Sequence, residues 1–410
     1  MAGRTALRGL LVALVLHGGV GAAPDLTGEL SAGVWTSNRL LDNRGSLGVV
    51  RARAALDWQL EDGLAVVAEA WVASGPETMD GRRSAAGLRE AYLQARTLPC
   101  QPALGQRVVA WGKTDAITPT DQISPTNYRR LVAKDSEQRS GVWGLHLNCA
   151  AGPGRLQVHW LGRFRFNAVP LPAPPGVRIA EETPRLRPTL ALRYDVLSSA
   201  ADWSLGAIDG HDLFPTLALR AVSAQGVQLV TTATRTRLLG GDIALTRGAL
   251  VLRAEAAWVE PVQGSMAAAA QRRPYVQAVA GVEASFAERE TLALQVFGKQ
   301  LRGAAPASAD PLQAQLQSAQ GLLSNEGDRR QAGFTLRYAR PLWAQRGDID
   351  LFTLWAYPQR EWLLRGRLGF ELDAAWRLGA GFEIFRGPAA SFLGHLRPNS
   401  LAFAEIRYAW

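Results

Sequence analysis

The sequence predicts a transmembrane antiparallel β-barrel of about 18 strands in one domain, with about 16 as the alternative count. Three observations predict it. Blocks of about ten residues alternate apolar and polar positions, as strands do that face lipid on one side and water on the other. Short and long connections alternate along the chain. The last residues, LAFAEIRYAW, form an alternating strand that ends on an aromatic side chain.

The chain starts MAGRTALRGLLVALVLHGGVGAAPD. Arg4 and Arg8 give a positive start, Leu7 to Val20 an apolar core, and Gly21-Ala22-Ala23 a small-residue cleavage site. Residues 1–22 therefore read as a secretory signal peptide and 23–410 as the barrel. The apolar run is too short for a membrane anchor and is broken by His17-Gly18-Gly19. No later stretch is apolar for long enough to span as a helix.

Hydrophobic residues make up 47% of the chain and charged ones 20%, which excludes a disordered chain. Glycine at 41 and tryptophan at 13 suit short strands with tight turns. The net charge is +9, but the arginines are scattered rather than clustered. With no basic run and no recognition motif, nucleic acid is excluded as a partner.

From Leu26 the strands follow in order. In 47–60, Val50, Ala52, Ala54, Leu56 and Trp58 share one face, and Arg51, Arg53, Asp57 and Gln59 the other. In 154–166, Leu156, Val158 and Trp160 oppose Gln157, His159, Arg163 and Arg165. In 249–260, Leu250, Leu252 and Trp258 oppose Arg253 and Glu255. The remaining strands are expected near 27–38, 63–74, 86–98, 102–113, 139–150, 187–197, 202–210, 227–245, 274–287, 291–302, 331–343, 349–358, 362–372, 376–386 and 399–410. Alternation alone fits a soluble sandwich equally well. The signal peptide, the aromatic strand ends and the last strand decide for a membrane barrel.

Tight connections fall at Glu61-Asp62, 151–153, 198–201, 246–248 and Glu288-Arg289. Long ones fall at 75–85, 114–138, 167–186, 211–226, 261–273, 303–330 and 387–398. Outer-membrane barrels have short periplasmic turns and long outer loops. The count is weakest over 211–245, where a hairpin is hidden or absent. Residues 303–330 read as a short helix over the outer rim or a mobile link.

The connection 114–138 is the organising stretch. It follows VVAWGK, holds Pro119 and Pro125, and is dense in charge: Asp115, Asp121, Arg129, Arg130, Lys134, Asp135 and Glu137. Ile117, Ile123 and Leu131 are apolar anchors that predict an ordered loop packed on the barrel interior. As the third outer loop it is expected to narrow the pore, with Asp115, Asp121, Arg129 and Arg130 facing the opening.

The run VVAWGKTDAITPTDQISPTNYRRL resembles a group of porin-like outer-membrane barrels of Gram-negative bacteria, whose biochemical role is mostly unassigned. They share a Trp-Gly, Pro-Thr-Asp, Pro-Thr-Asn-Tyr pattern, here Trp111-Gly112, Pro119-Thr120-Asp121 and Pro125-Thr126-Asn127-Tyr128. The resemblance covers about 40 residues and implies a location in the outer membrane. Its functional analogues are anion-selective porins and polysaccharide-exporting barrels, which is fold-level analogy and settles no substrate. The C-terminal strand resembles the signal read by the barrel-assembly machinery, with Tyr408 and Trp410 on one face.

By face assignment the interior carries Arg51, Arg53, Arg107, Lys113, Arg163, Arg253, Arg365 and Arg367, with fewer acidic residues. Charges in an interior require water or pairing, and Arg or Lys in a pore favours anions. The reading is a channel for anionic or polar solutes. The alternatives are an outer-rim lipid or peptide hydrolase and a closed structural or binding barrel. For the hydrolase, Asp209-Gly210-His211-Asp212 is the one local acid-base cluster. His146 and His159 face the interior on neighbouring strands and can meet. No histidine lies at ligand spacing from a cysteine, so no metal or cofactor is expected.

Cys100 opens the strand before the long loop and Cys149 closes the strand after it. Adjacent antiparallel strands then bring both to the periplasmic rim, within disulfide reach. The oxidising periplasm favours the bond.

Overall fold

The computed structural model describes the chain except residues 1–22, 39–44, 61–62, 76–83, 171–176, 181–185, 225, 263–271, 287–288 and 304–308. The signal peptide expected at residues 1–22 thus lies outside the described residues. The strands are β1 (Asp25–Ser37), β2 (Ser46–Gln59), β3 (Leu64–Ser74), β4 (Ser84–Ala95), β5 (Cys100–Arg107), β6 (Val142–Ala151), β7 (Gly154–Leu161), β8 (Val177–Ala180), β9 (Thr189–Val196), β10 (Asp202–His211), β11 (Thr216–Ser223), β12 (Gly226–Thr232), β13 (Arg235–Arg247) and β14 (Leu250–Pro261). They continue as β15 (Tyr275–Ser285), β16 (Thr291–Leu301), β17 (Arg330–Leu342), β18 (Gly347–Tyr357), β19 (Glu361–Glu371), β20 (Trp376–Arg386) and β21 (Leu401–Ala409).

All but β8, β11 and β12 form one 18-stranded antiparallel sheet. It closes because β21 pairs with β1, Tyr408 opposite Leu30 and Ile406 opposite Ala32. Gly28 and Trp410 complete the seam with a reciprocal backbone pair at 3.1 Å. Closure leaves no sheet edge for lipid to meet.

The polarity is inside out. Leu205, Leu239, Val296 and Trp160 face outward with more than half of their surface exposed. Glu255, Arg193, Asp242 and Arg407 point inward and are buried. On β13 the outward row runs from Arg237 through Leu239, Gly241, Ile243 and Leu245 to Arg247. That interval is about 33 Å of strand at ~3.3 Å per residue. A tilt of about 40° reduces it to about 25 Å, the height of a lipid-facing band. Among the described residues no helix is long and apolar enough to cross a membrane.

The strands expected near 102–113 and 139–150 are shorter than the pattern suggested. β5 stops at Arg107 and β6 starts at Val142. The amides beyond β5 leave the ladder for side-chain acceptors. Val108 N–H donates to Glu90 Oε1 at 2.8 Å, Val109 N–H to Ser124 Oγ at 2.8 Å, and Trp111 N–H to Asp121 Oδ1 at 3.2 Å. The long expected strand 227–245 is two strands, β12 and β13. A hairpin is indeed hidden in 211–245, but β11 and β12 stand outside the wall, and β12 pairs with β8. Helix α1 (Pro311–Leu323) covers this small sheet, Leu316 packing on Leu217 and Leu229. A second, short helix α2 (Phe392–His395) sits in the last outer connection.

Candidate functional site

The segment between β5 and β6 crosses the lumen. At one end Val109, Trp111 and Ile123 are buried with Ile208, Leu238 and Val259, on β10, β13 and β14. At the other end Leu131 is buried among Trp35, Leu47, Val49 and Phe403, on β1, β2 and β21. Those two wall regions lie on opposite sides of the closed sheet.

Each end has a polar anchor as well. Glu255 of β14 accepts from Thr120 N–H and Thr120 Oγ1–H at 2.8 Å each, from Thr114 Oγ1–H at 2.8 Å, and from Lys113 N–H at 3.2 Å. Gly112 makes this approach possible. Its φ is +92°, and a Cβ there would lie 2.5 Å from Glu255 Oε2. At the far end Glu137 pairs with Arg407 at 2.9 Å and with Arg51 at 3.3 Å, all three side chains buried. Arg51 also donates to the Leu131 carbonyl at 2.8 Å.

The motif residues serve this seat. Asp121 binds the Trp111 amide and pairs with Arg139 at 2.5 Å. Asn127 Oδ1 accepts from Arg129 N–H at 3.0 Å, and Tyr128 N–H donates to the Ala168 carbonyl at 2.9 Å. Asn167 Oδ1 accepts from Thr126 N–H at 2.8 Å. The next outer connection is tied in turn to the last one, Asn399 Nδ2 donating to the Pro170 carbonyl at 2.9 Å. The loop is locked from above and from both sides.

Several site residues take places the alternation did not foresee. Asp121 is buried with Arg139 rather than facing the opening. Arg130 is buried, its guanidinium 3.9 Å from the Trp71 ring centroid, and Arg129 donates to the Val169 carbonyl at 2.8 Å. Arg163 and Arg165 lie past the end of β7 and are exposed. The exposed charged residues of the loop are Asp115, Lys134 and Asp135. Asp135 pairs with Arg365 and, at 2.5 Å, with Arg367, both on β19. Desolvation within the lumen works against the charge of Asp135, half of whose side-chain surface stays exposed, yet Arg365 and Arg367 outweigh it and hold the carboxyl below its usual range. Glu137 is lowered in the same way, its burial outweighed by Arg407 and Arg51. Asp115 lies within electrostatic reach of Arg253 and Arg337.

On the wall most arginines have acidic neighbours. Arg53 pairs with Glu69 at 2.7 Å, Arg253 with Glu283 at 2.8 Å, Arg337 with Asp350 at 2.5 Å, and Arg365 with Glu383 at 2.7 Å. Lys113 Nζ lies 3.8 Å from Asp202. Arg107 stacks 5.1 Å from the Tyr92 ring centroid. Sequence reasoning placed Arg337 on the interior face and Glu137 at the narrow point, but missed Asp350 and Glu383, because ion pairing across strands leaves no local signal.

The acid-base cluster is dispersed. Asp209 pairs with Arg235 at 2.8 Å, His211 packs on Phe164 with centroids 5.5 Å apart, and Asp212 pairs with Arg272 at 2.8 Å. His146 and His159 do meet, Nδ1 to Nδ1 at 3.0 Å, buried beside Trp111. Cys100 and Cys149 are register partners and are joined by a disulfide, with Cα atoms 3.9 Å apart.

No protein-family description matches the chain, and no curated protein matches its sequence. Solved structures do match its fold. OccAB1 of Acinetobacter baumannii aligns with a TM-score of 0.59 at 8% identity, covering 94% of this chain and 95% of that one. OccAB2 of the same organism gives 0.57 at 8% identity, over 96% of this chain and 99% of the other. OccK10 (OpdN) of Pseudomonas aeruginosa gives 0.56 at 13% identity, over 94% and 98%. At these identities the likeness is one of fold. The chain is a closed 18-stranded antiparallel β-barrel.

Proposed function

We propose that the protein is a porin-like channel of the Gram-negative outer membrane that passes small polar solutes, anions preferred, and catalyses no reaction. The observation that carries this reading is the loop across the lumen. Its Asp135 pairs directly with Arg365 and Arg367 on the wall, and its Asp115 lies within electrostatic reach of Arg253 and Arg337. A loop with two wall anchors fixes a narrow point. Opposed charges there orient a polar solute as it passes. The preference for anions rests on the arginine-rich interior face; the ion-pair clusters on it are balanced, Arg365 and Arg367 with Asp135 and Glu383, and Arg53 and Arg89 with Glu69 and Glu90. Lipid surrounds the barrel, and the outward aromatic pair Tyr408 and Trp410, stacked at 6.0 Å, suits recognition by the assembly machinery.

Single-channel recording of the refolded protein in a planar bilayer tests this. Discrete current steps are expected. A silent bilayer with correctly folded protein supports a closed structural barrel instead, and silence with lipid or peptide hydrolysis supports an enzyme.

A further inference from the structure

The lipid-facing wall of β13 to β16 is dished. Gly241, Ala256, Ala278 and Gly298 are successive register partners across those four strands, all pointing outward. Ala254 and Ala280 lie in the row beneath. A Cβ at Gly298 would meet only the Gln331 carbonyl, at 3.8 Å. Leu205, Ile243 and Val296 border the depression, which has a volume of about 690 Å³.

The groove is slanted. Gly241 lies six residues from the outer end of β13 at Arg235, whereas Gly298 lies three residues from the outer end of β16 at Leu301. It therefore rises from mid-wall at β13 toward the outer rim at β16. At its upper end stand Arg302, exposed just past β16, and Arg330, exposed at the start of β17. Arg330 donates to Gln300 Oε1 at 2.9 Å. Among the described residues neither arginine has a carboxylate within ion-pair distance. Arg237 faces the same way at the top of β13, opposite Glu260. Apolar concavity below and unpaired guanidinium charge above match an amphiphile with an acyl chain and an anionic head. Arginine binds phosphate through paired N–H donors, and the opening at the outer rim selects the outer leaflet.

We propose that this groove binds one phosphorylated glycolipid of the outer leaflet, an acyl chain in the dish and a phosphate between Arg302 and Arg330. The proposal rests on the barrel's place in the outer membrane but not on conduction. Lipid A serves as the probe, and native mass spectrometry of the refolded full chain in detergent counts what stays bound. One lipid A per barrel is expected, with phosphatidylglycerol and dephosphorylated lipid A retained at least about tenfold less. Two variants approach the site from different sides: Arg302→Glu with Arg330→Glu removes the head contact, and Gly298→Leu fills the groove. Each is expected to weaken lipid A retention at least about tenfold. Retention unchanged in both variants overturns the proposal, as does equal retention of phosphatidylglycerol. A dimer by mass that Gly298→Leu breaks overturns it too, because a second copy then occupies the groove. None of these residues faces the lumen, so bilayer conductance of the same variants separates the two readings. Lipid binding without conduction removes the channel alone, and conduction without lipid binding removes this site alone.

Discussion

Glu255 on the barrel wall and Thr120 on the loop are joined twice, the carboxylate accepting both the amide and the hydroxyl of Thr120 at 2.8 Å. Each hydrogen bond to an ionised group contributes about 1.5–3 kcal/mol. Glu255→Gln keeps the shape but loses the charge and replaces one acceptor oxygen with a donor. The loop seat is expected to weaken by about 2–4 kcal/mol, seen as larger and noisier open-channel current. Gly112→Ala should act in the same direction, because its Cβ displaces Glu255 and its φ is strained. Quiet, unchanged channels in both variants would show that this carboxylate does not seat the loop.

Deleting residues 116–128 removes Thr120 and the buried anchor Ile123 together. Conductance is expected to rise and ion selectivity to blur, since the carboxylates no longer face the wall arginines. An unaltered conductance places the narrow point elsewhere.

The barrel was legible because its physics is local. Strands between lipid and water must alternate with period two, and Leu239, Ile243 and Leu245 show that pattern within one strand. All the wall strands were therefore readable, including the closing strand ending at Trp410. What was not legible depends on contacts far apart in sequence. Val109 and Trp111 alternate like a continuing strand, yet their amides bond to Ser124 and Asp121 and turn the chain inward. Arg130 and Asp121 carry charge on a loop and so read as pore-lining, but Trp71 and Arg139 bury them. The partners of Glu137 come from β2 and β21, at opposite ends of the chain. The motif around Trp111-Gly112 was visible as a pattern, whereas its work as a set of loop anchors needed Glu255 in place.

The Cys100–Cys149 bridge closes a separation of 49 residues at the base of the hairpin that carries the loop. In the chain-entropy model a loop of that size is worth up to about 4 kcal/mol. Cys100→Ser with Cys149→Ser should lower the urea midpoint of barrel unfolding. It should leave conductance unchanged, because the bridge lies at the opposite end of β5 and β6 from the loop. A shifted conductance with an unshifted midpoint would reverse that assignment.

Asp135→Asn removes the carboxylate that Arg365 and Arg367 share. Reversal potentials in a salt gradient are expected to move toward stronger anion preference. Arg365→Gln with Arg367→Gln should move them the opposite way. A clear cation preference in the unmodified channel would mean that Asp115 and Asp135 govern passage.

Acid should unseat the loop at its β1–β21 end. Asp135 and Glu137 both have carboxyls held below their usual range, burial being outweighed by Arg365 and Arg367 for the first and by Arg407 and Arg51 for the second. A group whose pKa is depressed on folding contributes stability above its unfolded value, about 3.9 for Asp and 4.3 for Glu. That contribution is lost as pH falls through the folded value. Conductance is therefore expected to stay level from neutral pH down to about pH 5 and to change only below about pH 4. There protonation releases Glu137 from Arg407 and frees Arg365 and Arg367, so current should rise and anion preference strengthen together. Glu137→Gln sets the same end of the loop loose at neutral pH. Breaking one partner out of a buried pair costs about 3–5 kcal/mol, so this variant should show the high-current state at pH 7 and a smaller acid step. An acid step of unchanged size in Glu137→Gln would assign the transition to other carboxylates.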